Sequence, residues 1–224
     1  MKLEITNFMI AGHSKTGKGE AAMSFFQNTR KPEGFGGKLM VKGMNSGTHG
    51  KLAEWGLGHL TIHSDARILD AGCGGGANVK RLLAKASSGH VTGLDYSAVS
   101  VKESKKVNRK AIDEGRCRIV EGDVSVLPFE RDTFHLVTAF ETVYFWPDPV
   151  RTFTGIRDVL QPDGVFFICN ESNGHDKEAE KFAQIIDGMK LYDASQLREF
   201  LTQAGFREIE EDEKGTWLCV RAVK

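Results

Sequence analysis

From residue 66 onward, short apolar runs alternate with segments in which apolar residues recur every three or four positions. A short apolar run bounded by turn residues predicts a buried strand, and the three-to-four spacing predicts an amphipathic helix. This alternation favours an α/β fold with a doubly wound parallel sheet between two layers of helices. The predicted strands lie at 68–70, 90–95, 116–122, 134–140 and 165–169, and the predicted helices at 79–86, 97–112 and 149–160.

The pattern changes at the end of the chain. Helical spacing covers residues 180–189 and 196–203, and two strand-like segments follow at 206–211 and 216–223. A short turn between these two segments predicts a hairpin. We expect the hairpin to complete a seven-stranded, mostly parallel sheet whose last strand is antiparallel.

Residues 1–34 form the first of two segments that precede the sheet, and we predict a polar leader there. Residues 12–19 nearly match a phosphate-binding loop that follows a strand. The match fails at Gly19, because that position needs the hydroxyl of Ser or Thr to bind magnesium. We therefore assign no nucleotide site to this segment.

Residues 35–64 form the second segment, in which Leu52, Trp55 and Leu60 recur at roughly helical spacing. This spacing predicts an amphipathic helix that packs over the core. Residues 65–224 then form the main domain.

The composition limits the partners and the compartment that we expect. The chain has 224 residues, with 30 basic and 30 acidic side chains, so its formal net charge is zero. A protein without a strong basic field is not expected to bind nucleic acid. The sequence has no long apolar run and no signal peptide. Its four cysteines are far apart, which indicates reduced thiols in a cytoplasmic protein.

Local spacing gives no sign of a metal site or of a hydrolase. The cysteines form no C-x-x-C pair, and the histidines form no H-E-x-x-H motif. The G-x-S-x-G motif of a nucleophile elbow is also missing. We therefore predict no metal ligands.

The strongest motif is Leu69-Asp70-Ala71-Gly72-Cys73-Gly74-Gly75-Gly76, which lies between a predicted strand and a predicted helix. Glycines let the backbone approach a ligand closely, and a helix start attracts anionic groups. The motif therefore predicts a nucleotide-like cofactor. Gly72-x-Gly74-x-x-Ala77 also fits the loose dinucleotide fingerprint, with Asp95 at the expected offset, so a nicotinamide cofactor stays open at this point.

Asp70 distinguishes the two cofactor classes, because it extends the motif to D-x-G-x-G-x-G. With this motif, residues 35–224 resemble the class I S-adenosylmethionine-dependent methyltransferases, in particular their small-molecule "type 11" group. The resemblance implies S-adenosylmethionine as cofactor and S-adenosylhomocysteine as product. It also implies a small-molecule acceptor, in-line displacement, and a lid formed by residues 35–64.

The candidate cofactor residues follow the ends of the predicted strands, where ligands bind in such sheets. Asp95 can accept hydrogen bonds from both ribose hydroxyls, and Tyr96 offers a ring to the adenine. The resemblance implies that Asp123 accepts from the adenine amino group. Asp70 can accept from the methionine ammonium directly or through water. The full predicted set is Asp70, Gly72, Cys73, Gly74, Asn78, Asp95, Tyr96, Ser97, Gly122, Asp123, Val124 and Phe140.

The candidate catalytic residues are Glu141, Tyr144 and His49. Glu141 and Tyr144 follow the fourth predicted strand, and His49 precedes the predicted N-terminal helix. Methyl transfer depends mainly on alignment and exclusion of water, so a general base is needed only if the acceptor arrives protonated. We predict that one of these three side chains supplies it.

Three alternative functions remain open from the sequence. A nicotinamide-dependent dehydrogenase would carry a tyrosine followed four residues later by lysine, and Tyr96, Tyr144 and Tyr192 have no such partner. A non-catalytic S-adenosylmethionine-binding protein would lack an open acceptor cavity. A methyltransferase with a macromolecular acceptor is the third alternative.

Overall fold

The computed structural model describes residues 48–224. The predicted leader at 1–34, with its loop at 12–19, lies outside the described residues. The same holds for residues 35–47 of the predicted lid. Within the described range, no helix combines the length and the apolar character needed to cross a membrane.

Seven strands of the described range form one sheet. They are β1 (Arg67–Ala71), β2 (His90–Asp95), β3 (Cys117–Glu121), β4 (Phe134–Phe140), β5 (Leu160–Asn170), β6 (Arg207–Lys214) and β7 (Trp217–Val223). Their order across the sheet is β3-β2-β1-β4-β5-β7-β6. β7 pairs antiparallel with β5 and β6, and the other neighbouring strands pair in parallel. The predicted doubly wound fold, with an antiparallel strand supplied by the closing hairpin, is confirmed.

The helices of residues 48–224 cover both faces of the sheet. They are α1 (Thr48–Leu57), α2 (Ala77–Lys85), α3 (Ala98–Val107), α4 (Arg109–Asp113), α5 (Pro149–Val159), α6 (Lys177–Ile185) and α7 (Ala194–Gln203). Apolar residues of α5 and α7 pack into one core cluster, and those of α1, α2 and α3 pack into the other. Each central strand is therefore buried on both faces, which explains its continuous apolar run.

The prediction of one continuous helix over 97–112 was wrong, because the structure divides this segment into two helices at Asn108. Asn108 is 3% exposed. Its side-chain Nδ2 donates to the carbonyl oxygens of Gly76 and Ser104, both at 3.0 Å. The side chain thus ties the end of α3 to the residue that precedes α2, and α4 starts after it.

The bounds of β5 and α6 differ most from the prediction. β5 starts at Leu160 rather than Val165, because residues 162–164 form an irregularity inside the strand, with Asp163 at a positive φ of 61°. α6 covers Lys177–Ile185 rather than 180–189. It starts early because the side chain of Asp176 caps it by accepting the backbone N–H of Ala179 at 2.7 Å.

α1 is packed against the sheet rather than standing away from it. Leu52 is 2% exposed. Gly56 lies so close to the sheet that an added Cβ would come within 2.6 Å of Cys169 Sγ. The rings of Trp55 and Trp217 are 5.7 Å apart. These contacts fix the helix over β5 and β7 and leave its first turn beside the carboxyl ends of the strands.

The chain leaves β1 toward β2 and β3 on one side, and it continues through β4 and β5 on the other. The point at which strand order reverses therefore lies between β1 and β4. In open α/β sheets, ligands bind outside the carboxyl ends of the strands at this point.

Candidate active site

A cavity of about 400 Å³ opens at the carboxyl ends of β1, β2, β3 and β4. This volume is within the range of small-molecule sites, roughly 300–1,000 Å³. The predicted residues that line it are His49, Gly72, Cys73, Gly74, Asn78, Asp95, Tyr96, Gly122, Asp123, Val124, Phe140 and Glu141. Three predicted residues, Asp70, Ser97 and Tyr144, do not line it.

The glycine loop after β1 needs its glycines for two different reasons. Gly72 has φ 80°, and an added Cβ would come within 2.1 Å of Thr142 Oγ1. Gly74 has φ 50°, and an added Cβ would meet no atom within 4 Å, because it would project into open space. Gly74 therefore leaves part of the cavity clear, and its backbone can come close to a ligand. This arrangement fits a nucleotide-like cofactor.

Cys73 lies between these glycines and is 7% exposed. Burial raises the pKa of its thiol well above the usual value, and the nearby Asp95 and Asp70 carboxyl groups add to the shift. The thiol therefore stays protonated and acts as a small packing group rather than as a nucleophile. All four cysteines, Cys73, Cys117, Cys169 and Cys219, are free thiols and buried.

Asp95, at the end of β2, joins two segments of the cavity wall. Its Oδ2 accepts the backbone N–H of Gly74 at 2.8 Å, and its Oδ1 accepts the backbone N–H of Ser97 at 2.9 Å. Burial raises the pKa of Asp95, and the hydrogen bonds from Ser97 and Gly74 oppose this rise. Asp95 is 8% exposed and lines the cavity, so the remaining lone pairs of its carboxyl group can accept from a ligand.

Asp70 and Ser97 lie behind the cavity wall. Asp70 is 2% exposed and accepts the hydroxyl of Thr138 at 2.8 Å. Burial raises the pKa of Asp70 to about 7, although the bond from Thr138 opposes the rise. Ser97 is 1% exposed and accepts the backbone N–H of Ser100 at 3.3 Å as the N-cap of α3. The structure thus keeps Asp70 and Ser97 out of the cavity lining, although the backbone N–H of Ser97 contacts Asp95.

Tyr96 and Asp123 lie at the exposed end of the cavity. Tyr96 is 38% exposed. Asp123 Oδ1 accepts both the backbone N–H of Ser125 at 2.8 Å and its hydroxyl at 2.7 Å. The backbone N–H of Gly122 donates to the carbonyl of Asp95 at 3.0 Å. The loops after β2 and β3 are therefore held side by side at this end.

Glu141 lies at the other end of the cavity, directly after β4, with a positive φ of 59°. Its backbone N–H donates to the carbonyl of Cys169 at 2.9 Å. Its Oε1 accepts the hydroxyl of Tyr144 at 3.3 Å and also the backbone N–H of Glu171. Its Oε2 lies 4.0 Å from Nδ1 of His49, and both side chains are 17% exposed.

Tyr144 orients the side chain of Glu141 through a hydrogen bond. It is 5% exposed, and its hydroxyl accepts the backbone N–H of Ser172 at 3.1 Å while donating to Glu141. Burial raises the pKa of Tyr144 well above its usual value, and the charge of Glu141 adds to the shift. Its hydroxyl therefore stays protonated and cannot act as a base near neutral pH.

His49 has a lowered pKa, because burial disfavours the charged imidazolium while the charge of Glu171 opposes this effect. Its neutral imidazole can accept a proton or bind a metal ion. His49 and Glu141 are the two predicted catalytic residues that the structure places at the cavity.

Several cavity residues were not predicted from the sequence: Arg81, Ser100, Thr142, Phe145, Pro147, Gly188 and Lys190. Arg81 could have been found, because it lies three residues after Asn78 on a predicted helix and donates to its Oδ1 at 3.0 Å. Lys190 could not, because its loop carries no motif. The loop is held in place by the backbone N–H of Lys190, which donates to the carbonyl of Tyr144 at 2.8 Å.

The described residues include one group with the side chains of a metal site, although the sequence predicted none. The ligating atoms of His49, Glu141 and Glu171 all lie within 4.8 Å of one another. These residues are far apart in the sequence, so no spacing motif could have identified them. His59 and His63 do have H-x-x-x-H spacing, but α1 ends at Leu57, so this pair is not on a helix.

Comparison with known proteins identifies the family. Residues 62–217 match a family described as a methyltransferase domain. Cycloartenol-C-24-methyltransferase 1 of Oryza sativa subsp. japonica is 35% identical over 109 residues, which cover 49% of this chain and 31% of that enzyme. Demethylmenaquinone methyltransferase of Lactiplantibacillus plantarum is 33% identical over 136 residues, which cover 58% of this chain and 55% of that enzyme. The matched region thus spans about a third to half of these relatives.

The fold resembles that of solved methyltransferase structures. The crystal structure of a SAM-dependent methyltransferase from Aquifex aeolicus superimposes with a TM-score of 0.70 at 16% sequence identity, covering 83% of this chain and 97% of that chain. The seven-stranded sheet, the glycine loop after β1 and the match over residues 62–217 agree with one another. The chain belongs to the class I S-adenosylmethionine-dependent methyltransferases.

Proposed function

We propose that this chain binds S-adenosylmethionine in the cavity and catalyses methyl transfer to a small-molecule acceptor by in-line displacement, leaving S-adenosylhomocysteine. The observation that carries the proposal is the position of Asp95, which holds the glycine loop through Gly74 while lining the cavity. When bound, the cofactor supplies a methyl group on a positively charged sulfonium.

The residues at the exposed end of the cavity would hold the adenosine part. The Asp95 carboxylate can accept from ribose hydroxyls, because its contacts with Gly74 and Ser97 leave lone pairs available. Tyr96 and Val124 can cover the adenine ring, and Asp123 can accept from its amino group. Asp70 would act indirectly, from behind the glycine loop.

The centre of the cavity would hold the amino-acid part. Arg81 lines the cavity and can pair with a carboxylate. Gly72, Cys73 and Gly74 present backbone groups beside it, and the carbonyl of Phe140 can accept from an ammonium group. Asn78 orients Arg81 through the hydrogen bond between their side chains.

The acceptor would bind near Glu141 and His49. Phe145 and Trp146 line the same region, and apolar and aromatic walls exclude water and favour a neighbouring positive charge. Glu141 and His49 can each take a proton from an acceptor that arrives protonated. Tyr144 would act by holding the Glu141 carboxylate.

The alternatives from the sequence are less well supported. Membership of a methyltransferase family argues against a nicotinamide-dependent dehydrogenase. A non-catalytic binding protein is less well supported because the cavity continues past the glycine loop to Glu141. The names of the rice and Lactiplantibacillus relatives refer to small molecules, which favours a small-molecule acceptor over a macromolecule. The four buried thiols favour the cytoplasm as the compartment.

Calorimetric titration with S-adenosylhomocysteine and with NAD, in parallel, tests the proposed cofactor. We expect S-adenosylhomocysteine to bind with one site per chain and NAD not to bind. A screen of small molecules with a labelled methyl donor then tests the transfer. Binding of NAD alone, or no binding of S-adenosylhomocysteine, would contradict the proposal.

A further inference from the structure

Three separate parts of the fold bring metal-ligating atoms together at the acceptor end of the cavity. His49 lies in the first turn of α1, Glu141 follows β4, and Glu171 follows β5. β4 and β5 are parallel neighbours, with Phe140 opposite Cys169 in register, so residues that follow the two strands emerge side by side. The ligating atoms of the three side chains lie within 4.8 Å of one another, and all three residues are partly buried.

Glu141 and Glu171 bring two carboxylates close together beside His49. Like charges this close repel one another, and partial burial strengthens the repulsion. Among the described residues, the ion pairs include none that joins Glu171 to a lysine or arginine. A cation bound between the two carboxylates would relieve this repulsion.

The Glu141 carboxylate is held in an orientation that suits a ligand. Its Oε1 accepts from Tyr144 and from the backbone of Glu171, while its Oε2 faces His49 Nδ1 at 4.0 Å. That separation is too long for a hydrogen bond. Two atoms that bind one metal ion lie about this far apart or somewhat closer, because each is ~2.0–2.2 Å from the metal. Hydrogen bonds to the non-ligating atom are a common support of metal ligands.

We propose that His49, Glu141 and Glu171 bind one divalent transition-metal ion, such as Mn²⁺ or Zn²⁺, at the acceptor end of the cavity. One imidazole nitrogen and two carboxylate oxygens suit these ions better than Mg²⁺ or Ca²⁺, which prefer oxygen ligands alone. Two atoms that bind one such ion lie at most about 4.4 Å apart, so the group, whose atoms lie within 4.8 Å of one another, has to close only slightly.

The ion would select the acceptor class. His49 and Glu141 line the cavity, so the open coordination positions of the ion face the place proposed for the acceptor. An acceptor with a hydroxyl or carbonyl oxygen could bind there directly. This consequence rests on the proposed function, whereas binding of the ion itself does not.

The test uses the full chain without an affinity tag, freed of metal by a chelator. Zn²⁺ binding is measured by calorimetry, and Mn²⁺ binding by loss of the free-ion electron paramagnetic resonance signal. We expect one site per chain, weakened at least tenfold by each of H49Q, E141Q and E171Q. The matched controls H63Q and E54Q alter exposed residues outside the group and should bind like the wild type.

The outcomes separate this proposal from the proposed function. Far-ultraviolet circular dichroism of the same samples checks that each variant is folded, and S-adenosylhomocysteine binding is measured separately. Metal binding that is lost in the three variants supports the site, even if S-adenosylhomocysteine does not bind. No binding of either ion to the full chain, or binding that the three substitutions leave unchanged, would overturn the proposal. If the three side chains instead bind the ammonium group of an organic acceptor, we expect the full chain to bind neither ion.

Discussion

The backbone N–H of Gly74 donates to the carboxylate of Asp95 at 2.8 Å, which joins the loop after β1 to the end of β2. The same carboxylate accepts the N–H of Ser97 and thereby fixes the start of α3. One buried acid therefore positions two of the backbone segments that form the cavity. It also presents its remaining lone pairs to the cavity.

Replacing Asp95 with asparagine should weaken binding of S-adenosylhomocysteine. The substitution keeps the shape of the side chain but removes the charge from hydrogen bonds worth ~1–3 kcal/mol, so we expect roughly tenfold to hundredfold weaker binding by calorimetry. The control D113N alters an exposed acid on α4 and should leave the affinity unchanged. Equal affinities of D95N and the wild type would contradict the role given to Asp95.

Replacing Gly72 with alanine should destabilise the fold more than an equivalent change elsewhere. Gly72 and Gly115 both have positive φ, so alanine costs each site roughly 1–2 kcal/mol of backbone strain. Only at Gly72 does the new Cβ collide with Thr142, which adds about 1–3 kcal/mol. Urea unfolding of G72A and G115A measures the difference. Similar losses in the two variants would mean that Thr142 moves away without cost.

Replacing Asp70 with asparagine should change how stability depends on pH. The pKa of Asp70 is raised from 3.8 to about 7 in the folded protein, so the folded state holds this proton more tightly than the unfolded state does. Stability contributed by the protonated group is therefore present below about pH 4 and is lost as pH rises toward 7, by up to about 1.4 kcal/mol per pH unit.

We expect D70N, which stays neutral, to become more stable relative to the wild type as the pH rises from 4 to 7. Urea unfolding at several pH values measures this trend. Asparagine can still accept the hydrogen bond from Thr138, so the packing around the site is kept. Parallel pH profiles of D70N and the wild type would show that Asp70 is not a buried, protonated acid.

Replacing Tyr144 with phenylalanine should lower the rate of methyl transfer without weakening cofactor binding. The hydroxyl orients Glu141 and also accepts the N–H of Ser172, which would lose a buried partner at a cost of about 1–2 kcal/mol. Turnover, S-adenosylhomocysteine affinity and urea unfolding are measured together. The control Y192F removes a hydroxyl outside the cavity lining. A full rate in Y144F would remove Tyr144 from the catalytic arrangement.

Ligand binding should protect the N-terminal segment from proteolysis. The first turn of α1 lines the cavity through His49 and Gly50, and the predicted lid includes this turn. We expect S-adenosylhomocysteine to slow cleavage within residues 35–60, as mass spectrometry of a time course would detect. Equal cleavage with and without the compound would contradict a lid.

The architecture could be read from the sequence because strands and helices of this fold differ in local pattern. Each central strand is buried on both faces and appears as an apolar run, and each covering helix shows its buried positions at regular spacing. The break at Asn108 was missed, because it depends on a contact with Gly76 that no local pattern reveals.

The sequence by itself determined which candidate residues follow which strand. A glycine loop follows β1, Asp95 follows β2, Asp123 follows β3 and Glu141 follows β4. Parallel strands deliver these residues to one edge of the sheet, so their convergence follows from the fold class. Only the tertiary structure decided which of them reach the cavity. Asp70 is buried and accepts from Thr138 instead of lining the cavity. Packing of α1 against β5 places His49 beside Glu141 and Glu171. Such contacts join residues far apart in the chain, and they depend on how whole elements pack rather than on any local spacing.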